Sequence, residues 1–308
     1  MQTAQTVMMV RPAAFKANPE TLESNAFQKP LSAVEDVAEK ALTAFDGYVA
    51  ALRNAGVEVR IIDDSAERET PDSLFPNNWI AMLEDGTIYT FPMEAHNRRR
   101  ERRMDIIADL TRDYRVMRRI DLSDFESRNI YLEGTGSLIL DHVSRIAYAC
   151  RSSRSSEKAG REFEHHSGYT IQWFEARDRH QQLIYHTNVM MSVGERFAIV
   201  CMESIASESE RLRLMKLLEI TGKTLINVSF QQMEAFACNV LELRNLQGRP
   251  VYAMSTRAWS SFTLEQQKLI EDYASLALAP IDIIEDLGGG GARCMLAEIF
   301  LEKKRVFS

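Results

Sequence analysis

The sequence predicts an α/β protein built as a ring of five hairpin-plus-helix units, and three observations point there. A strand, turn, strand, helix pattern recurs, its period is nearly constant, and the two chain ends supply complementary halves of one more unit. Residues 79–83, the Glu84-Asp85-Gly86 turn and residues 87–91 read as a hairpin, followed by a helical pattern over 99–112. Residues 137–140, a turn at 141–144 and residues 145–150 repeat it, with a helix near 155–166. Residues 189–193 turn at Gly194-Glu195 into 197–201, with a helix over 207–218. Residues 239–243 turn at 245–248 into 251–254, with a helix over 263–273.

The fifth unit needs both ends of the chain. Residues 295–300 lack a strand partner, while residues 6–11 are an unclaimed strand followed by a helical segment over 34–52. Joining them closes the ring and is expected to remove the sheet edges. The first strands begin at about residues 79, 137, 189, 239 and 294. Apolar runs at 57–62, 170–173, 224–228 and 280–284 are expected to add a third strand to their units. No linker rich in Gly, Pro or Ser interrupts the chain, so residues 1–308 are expected to form a single domain.

Composition narrows the classes of function. With 308 residues, 45% hydrophobic and 26% charged, the chain fits a soluble globular protein rather than a fibrous or disordered one. A net charge of -7 weighs against a nucleic-acid partner, which demands a basic face. The one basic run, Arg98-Arg99-Arg100-Glu101-Arg102-Arg103, reads as the solvated first turns of a helix continuing through Ile106, Ile107 and Leu110. No stretch approaches membrane-spanning length and the N-terminus lacks a secretory pattern, so a cytoplasmic protein without a membrane partner is expected. Cys150, Cys201, Cys238 and Cys294 are scattered without zinc spacing, and His165-His166 is adjacent rather than one helical turn apart. Neither a metal nor a cofactor is expected. The oligomeric state is left open, a homodimer included.

Cys294 ends the segment Leu287-Gly288-Gly289-Gly290-Gly291-Ala292-Arg293-Cys294, a thiol where a glycine-rich turn becomes an apolar run. Glycine lets main chain approach a ligand closely, which suits a nucleophile on a tight loop; a small buried cysteine is the competing reading. The ring gives a second argument. The residue before each first strand should occupy an equivalent place near the axis, and those residues are Asn78, Glu133, His186, the 236–239 region and Cys294. A carboxylate, an imidazole and a thiol thus fall at corresponding positions, as catalytic groups assembled on separate loops do.

These motifs together resemble one family. Phe75-Pro76-Asn77-Asn78-Trp79, Leu132-Glu133-Gly134-Thr135-Gly136-Ser137, Tyr185-His186-Thr187-Asn188, Asn239-Val240-Leu241-Glu242-Leu243 and Gly290-Gly291-Ala292-Arg293-Cys294-Met295 are similar, in order and spacing, to the arginine deiminase and amidinotransferase superfamily. The resemblance covers nearly the whole chain and implies the pentein fold, a five-bladed α/β propeller. It also implies a small-molecule, amino-acid-like substrate and three roles. Cys294 would attack a guanidino or ureido carbon, His186 would transfer protons and Glu133 would hold the reacting nitrogens. Without the resemblance, Glu133 reads equally as a brace for its glycine turn and His186 as a structural residue. Arg154, in Ala149-Cys150-Arg151-Ser152-Ser153-Arg154, resembles an arginine that binds the substrate α-carboxylate, with a helix-start arginine as the alternative.

The departures from the family carry the substrate expectation. Deiminases of arginine-like substrates place aspartates where this chain has Asn78 and Asn188. Amides keep donor and acceptor capacity but remove charge, which suits a neutral ureido group better than a guanidinium cation. The Phe-Pro-Asn-Asn-Trp pattern is also similar to a citrulline-utilisation hydrolase subgroup. The expected reaction is therefore citrulline to ornithine plus carbamate, which yields carbon dioxide and ammonia. An arginine-type deiminase or amidinotransferase is the nearer rival, and a non-catalytic binding protein on the same scaffold is the other. The loops over 18–30 and 65–74 are expected to set the substrate's distal end.

Overall fold

The computed structural model describes residues 1–22, 25–29 and 36–304. Its strands run, in chain order, β1 (Thr6–Arg11), β2 (Glu58–Asp63), β3 (Ile80–Met82), β4 (Thr87–Thr90), β5 (Arg118–Asp121), β6 (Ile139–Asp141), β7 (Ile146–Cys150) and β8 (Thr170–Phe174). They continue as β9 (Met191–Val193), β10 (Phe197–Val200), β11 (Thr224–Asn227), β12 (Leu241–Arg244), β13 (Pro250–Ser255), β14 (Ser275–Ala279) and β15 (Ala297–Ile299). One pattern recurs. A short first strand pairs antiparallel with a second, which pairs parallel with a third, as in β3-β4-β5, β6-β7-β8, β9-β10-β11 and β12-β13-β14. The chain ends make the same set from β15, β1 and β2, with Val7 opposite Glu298 and Val7 beside Val59.

The pairing of the two ends forms as the sequence predicts, but it does not remove the edges. A single bridge between Ile299 and Met82 joins two of the sets into a six-stranded sheet, and the other three remain separate sheets of three strands. Outside the strand ladders a few backbone bonds also link sets, such as Arg244 N to Ala4 O at 2.9 Å and Leu246 N to Gly56 O at 2.9 Å. The hairpins owe their register to turn chemistry. Asp85 Oδ1 accepts from Thr87 N at 3.0 Å, Asp141 Oδ1 from Ser144 N at 2.9 Å, and Asn245 Oδ1 from Gln247 N at 3.0 Å.

Helices follow the second strands and cover the sheets. Ser156, Ser207 and Thr263 cap Glu157–Ser167, Glu208–Ile220 and Leu264–Glu271 by accepting backbone N–H bonds. The helix predicted over 34–52 runs Val37–Asn54; Val34 lies outside the described residues, as do Glu23, Ser24 and Pro30 of the 18–30 loop. Its buried face carries Ala41, Phe45, Tyr48 and Leu52 against Val7, Val59 and Ala277.

Three elements differ from the sequence expectation. The fourth set takes its third strand from Ser275–Ala279 rather than 280–284, because Pro280 has no N–H to extend the ladder. Beyond it, Ile284 and Leu287 are buried on one face of the helix Asp282–Gly288. Strand β5, with the sequence Arg-Arg-Ile-Asp, has no apolar run to announce it and is an edge strand held through its backbone to β4. The basic run forms a 3-10 turn, Asn97–Glu101, ahead of the helix Met104–Asp113, and Arg98 within it is buried rather than solvated. The reason lies in the site described next, where Arg98 meets three carboxylates.

The described residues contain no helix long and apolar enough to cross a membrane, and Cys150, Cys201, Cys238 and Cys294 are free and buried. Phe45 is wholly buried in the contact between the Val37–Asn54 helix and its sheet. We expect Phe45→Ala to cost roughly 3–5 kcal/mol of unfolding free energy, read from urea titrations, through lost burial and the cavity left behind.

Candidate active site

A one-turn helical segment stands before the first strand in four of the five sets: Pro76–Asn78, Gly134–Ser137, Thr187–Val189 and Ala292–Met295. In the remaining set a tight turn returns Asn239 N to Phe236 O at 2.9 Å, with Phe236 at φ 65°. Gly134–Ser137 packs on Pro76–Asn78 and on Thr187–Val189, and Pro76–Asn78 packs on Ala292–Met295. This contact gathers Asn78, Glu133, His186, Asn188, Asn239 and Cys294 from distant parts of the chain. Gly136 is required for it. A Cβ there would lie 2.5 Å from Asn78 Nδ2 and 2.8 Å from His186 Nδ1.

Cys294, His186 and Asn78 line one cleft with Asp72, Phe75, Arg98, Arg154, Tyr185 and the main chain of Gly288, Gly289 and Gly290, closed over by Thr21 and Asn25. Its free volume is about 20 Å³, the room of a water molecule or two. Glu133 lies beneath, wholly buried, and its Oε2 is 2.8 Å from His186 Nε2, 3.6 Å from Arg154 Nη1 and 3.9 Å from Arg98 Nη1. Its Oε1 accepts from Glu94 N at 2.9 Å.

These contacts decide the charge states. Burial alone would raise the Glu133 carboxyl, but Arg154, the His186 hydrogen bond and Arg98 together hold it at about 2. Burial lowers His186 to about 4, against the pull of Glu133, with Arg154 and Arg98 adding to the fall. At neutral pH the pair is therefore a carboxylate and a neutral imidazole. An ionised carboxylate can only accept, so the His186 proton sits on Nε2 and Nδ1 is left to take or give a proton.

Cys294 has a different set of neighbours. Its Sγ accepts from Asn188 Nδ2 at 3.1 Å and from Asn239 Nδ2 at 3.2 Å. Burial pushes the thiol up, while Asn239, Asn188 and the nearby Arg293 draw it down. Asn188 Oδ1 is buried without a hydrogen-bond partner. The glycine run turns main-chain oxygen toward the cleft wall. The helix Asp282–Gly288 ends at Gly289, φ 63°, whose carbonyl accepts from Tyr185 OH at 2.6 Å.

Asn78 Oδ1 accepts from Arg98 Nη1 at 2.8 Å, and Arg98 is clamped by both oxygens of Glu101, at 3.0 and 2.9 Å. Asp72 Oδ2 lies 3.7 Å from Arg98 and accepts from Asn18 Nδ2 at 2.7 Å, while its Oδ1 is buried without a partner. Arg154 packs 5.1 Å from the Tyr185 ring centroid and reaches Glu94 Oε2 at 3.3 Å. Sequence reasoning did not single out Arg98, Asp72 or Tyr185. Arg98 was hidden in a run that looks solvated, and Asp72 in a loop without periodicity.

A buried thiol with amide donors, a neutral imidazole fixed by a carboxylate and this recurrent sheet pattern together define a cysteine hydrolase of the pentein type. The family model described as N,N dimethylarginine dimethylhydrolase, eukaryotic, matches residues 11–301, and the chain belongs to that family. Its superfamily is that of arginine deiminases and amidinotransferases, so it is an enzyme acting on C–N bonds.

Solved structures agree on the fold. The N-terminal domain of ArgZ, an arginine dihydrolase from the ornithine-ammonia cycle in cyanobacteria, solved with its substrate, matches with a TM-score of 0.69 at 15% identity over 96% of this chain and 97% of that one. Against full-length ArgZ the TM-score is 0.70 at 16% identity, covering 98% of this chain and 41% of that one. A dimethylarginine dimethylaminohydrolase carrying an S-methyl-L-thiocitrulline adduct matches with a TM-score of 0.64 at 16% identity, over 96% and 100%. No curated protein matches the chain in sequence.

The charge states give a pH dependence. Unfolded, His186 and Glu133 titrate near their ordinary 6.5 and 4.5; folded, near about 4 and about 2. Between those values the unfolded chain holds more protons, so stability rises with pH across the window and is lost on acidification. We expect the urea midpoint to fall as pH drops from about 6.5 to 4 and again toward 2, and His186→Gln to flatten the upper limb.

Proposed function

We propose that the chain, as one catalytic domain over residues 1–308 with the five sheet sets arranged as a five-bladed propeller, hydrolyses a C–N bond of a ureido or guanidino amino acid through a covalent Cys294 intermediate. Citrulline, giving ornithine and carbamate, is the reaction that fits the site best. One observation carries the preference. Glu133, the carboxylate beside His186, already has the Arg154 and Arg98 guanidiniums within 3.9 Å, so a guanidinium would bring a positive charge that Glu133 is not free to meet. A neutral ureido group brings none. The open Asn188 Oδ1 offers it an N–H acceptor, with Asn78 as the second amide.

Cys294 gives its proton to His186 Nδ1 as it attacks the ureido carbon, and His186 passes that proton to the departing δ-nitrogen, so the C–N bond breaks, ornithine leaves and an S-carbamoyl enzyme remains. Water then adds to that carbon and yields its proton to His186, the C–S bond breaks, and carbamate departs to decompose into carbon dioxide and ammonia. Arg154 supplies a cation for the α-carboxylate, and the open Asp72 Oδ1 an acceptor for the α-ammonium. Citrulline is larger than the present cleft, so binding requires the cleft to widen. Four unpaired cysteines support a reducing, cytoplasmic setting, and no step calls for a metal or cofactor.

The second reading is a guanidino substrate, as the names of the family and of its structural relatives suggest, with Asp72 Oδ1 supplying the missing counter-charge. A panel of citrulline, arginine, N-methylated arginines and agmatine, scored for ornithine, citrulline and ammonia, separates the two. We expect ornithine from citrulline, its complete loss in Cys294→Ser, and a fall of about 100-fold or more in kcat for Glu133→Gln. Turnover of arginine alone would overturn the ureido assignment. Unchanged turnover in Cys294→Ser would remove the nucleophile.

A further inference from the structure

Resting on Cys294 as the nucleophile, we infer that Asn239 is a second catalytic amide, whose N–H, with that of Asn188, forms a two-donor cradle for the Cys294 thiolate. The other cysteines of the chain show what an unreactive thiol looks like here. Cys150 Sγ accepts from Thr187 Oγ1 at 3.4 Å but also donates to the Ile184 carbonyl at 3.4 Å, a bond that needs the proton on sulfur, and burial pushes this thiol to about 11. At Cys294 the polarity is reversed. Both side-chain partners of its Sγ are amide N–H groups, which can only donate, so their contacts strengthen as the sulfur becomes an anion.

The fold sets the direction of the Asn239 amide. Its Oδ1 accepts from Arg293 N at 3.1 Å and its Nδ2 donates to the Asn188 carbonyl at 3.1 Å. Turning the amide over would set oxygen against oxygen at Asn188 and N–H against N–H at Arg293, so Nδ2 is held toward the sulfur. The residue is almost wholly buried. Gly291 makes room for it, since a Cβ there would come 2.9 Å from Asn239 Oδ1. A side chain that tied two turns together for stability alone would have no need of a bond to sulfur. Asn239 also completes the recurrence, because it is the residue that the remaining sheet set contributes where the others contribute Asn78, Glu133, His186 and Cys294.

The test reads the thiolate without substrate. Iodoacetamide alkylation of Cys294, followed by mass spectrometry across pH, gives the midpoint of thiolate formation in the unsubstituted protein and in Asn239→Ala and Asn239→Asp. Losing one donor to a charged sulfur is expected to raise the midpoint by about one pH unit, slowing alkylation about tenfold at neutral pH. The aspartate, which keeps the shape and the acceptor for Arg293 but faces the sulfur with a carboxylate, is expected to raise it further. In turnover the loss should fall on kcat, with KM little changed. If Asn239→Ala does not fold, the aspartate variant carries the test. A purely structural Asn239 would lower the melting temperature and leave the alkylation midpoint in place, and that result overturns the inference. Activity surviving in Cys294→Ser would instead remove the reading on which it rests.

Discussion

A carboxylate buried beneath the cleft organises the site. Glu133 is wholly inside the protein, where an isolated charge would be prohibitive, and it stays ionised because four donors converge on it: His186, Arg154, Arg98 and the Glu94 amide. They come from three stretches of chain, Glu94 to Arg98, Arg154 and His186, so the charge can be tolerated only when the turns that carry them have packed together. The Glu133 bond fixes the His186 tautomer, while burial, aided by Arg154 and Arg98, keeps the ring neutral at physiological pH in spite of that carboxylate. Arg98 ties the carboxylate in turn to Asn78, Glu101 and Asp72, so a disturbance at any of these is felt at the imidazole.

The thiol is managed by other means. No imidazole bond to Cys294 is needed to explain its environment, because two carboxamides meet the sulfur and a guanidinium lies nearby. Separating the two devices has a consequence. A cysteine bonded to a histidine would share that histidine's proton, whereas here the imidazole is committed to Glu133 through Nε2. Burial still raises the Cys294 thiol, so the resting site holds the nucleophile and the acid-base group both neutral beside a buried anion.

Much of this was legible in the sequence, and the limits have physical causes. The recurrence gave the sheet sets, the pairing of the two ends and the positions that the turns deliver to the cleft, because hairpin and helix periodicities are local properties. Strand β5 escaped because its pairing is carried by backbone with charged side chains outward, and Ser275–Ala279 escaped because Pro280 acts as a stop whose direction the pattern did not reveal. Arg98 is the more instructive miss. Within a run of arginines nothing local separates the one that turns inward, and its burial is imposed by Asn78, Glu101 and Asp72. Asn239 fell inside a region marked only by its place in the recurrence, since an amide announces no chemistry until its partners are known.

The charge balance of the cleft is a property of that whole set rather than of any one substitution. Aspartate at position 78 would also accept from Arg98, and would add an anion beside a guanidinium that already has Glu101 and Asp72. The asparagine accepts the same bond without that charge. Burial lifts Glu101 to about 7 in spite of Arg98, which indicates that the network has little capacity for further negative charge. The amide at 78 suits the arginine that it accepts from, because Arg98 already has carboxylate partners in Glu101, Asp72 and Glu133. On the ureido reading proposed for the site, the neutrality of Asn78 and the burial of Arg98 belong together, since the bond between them needs no further charge.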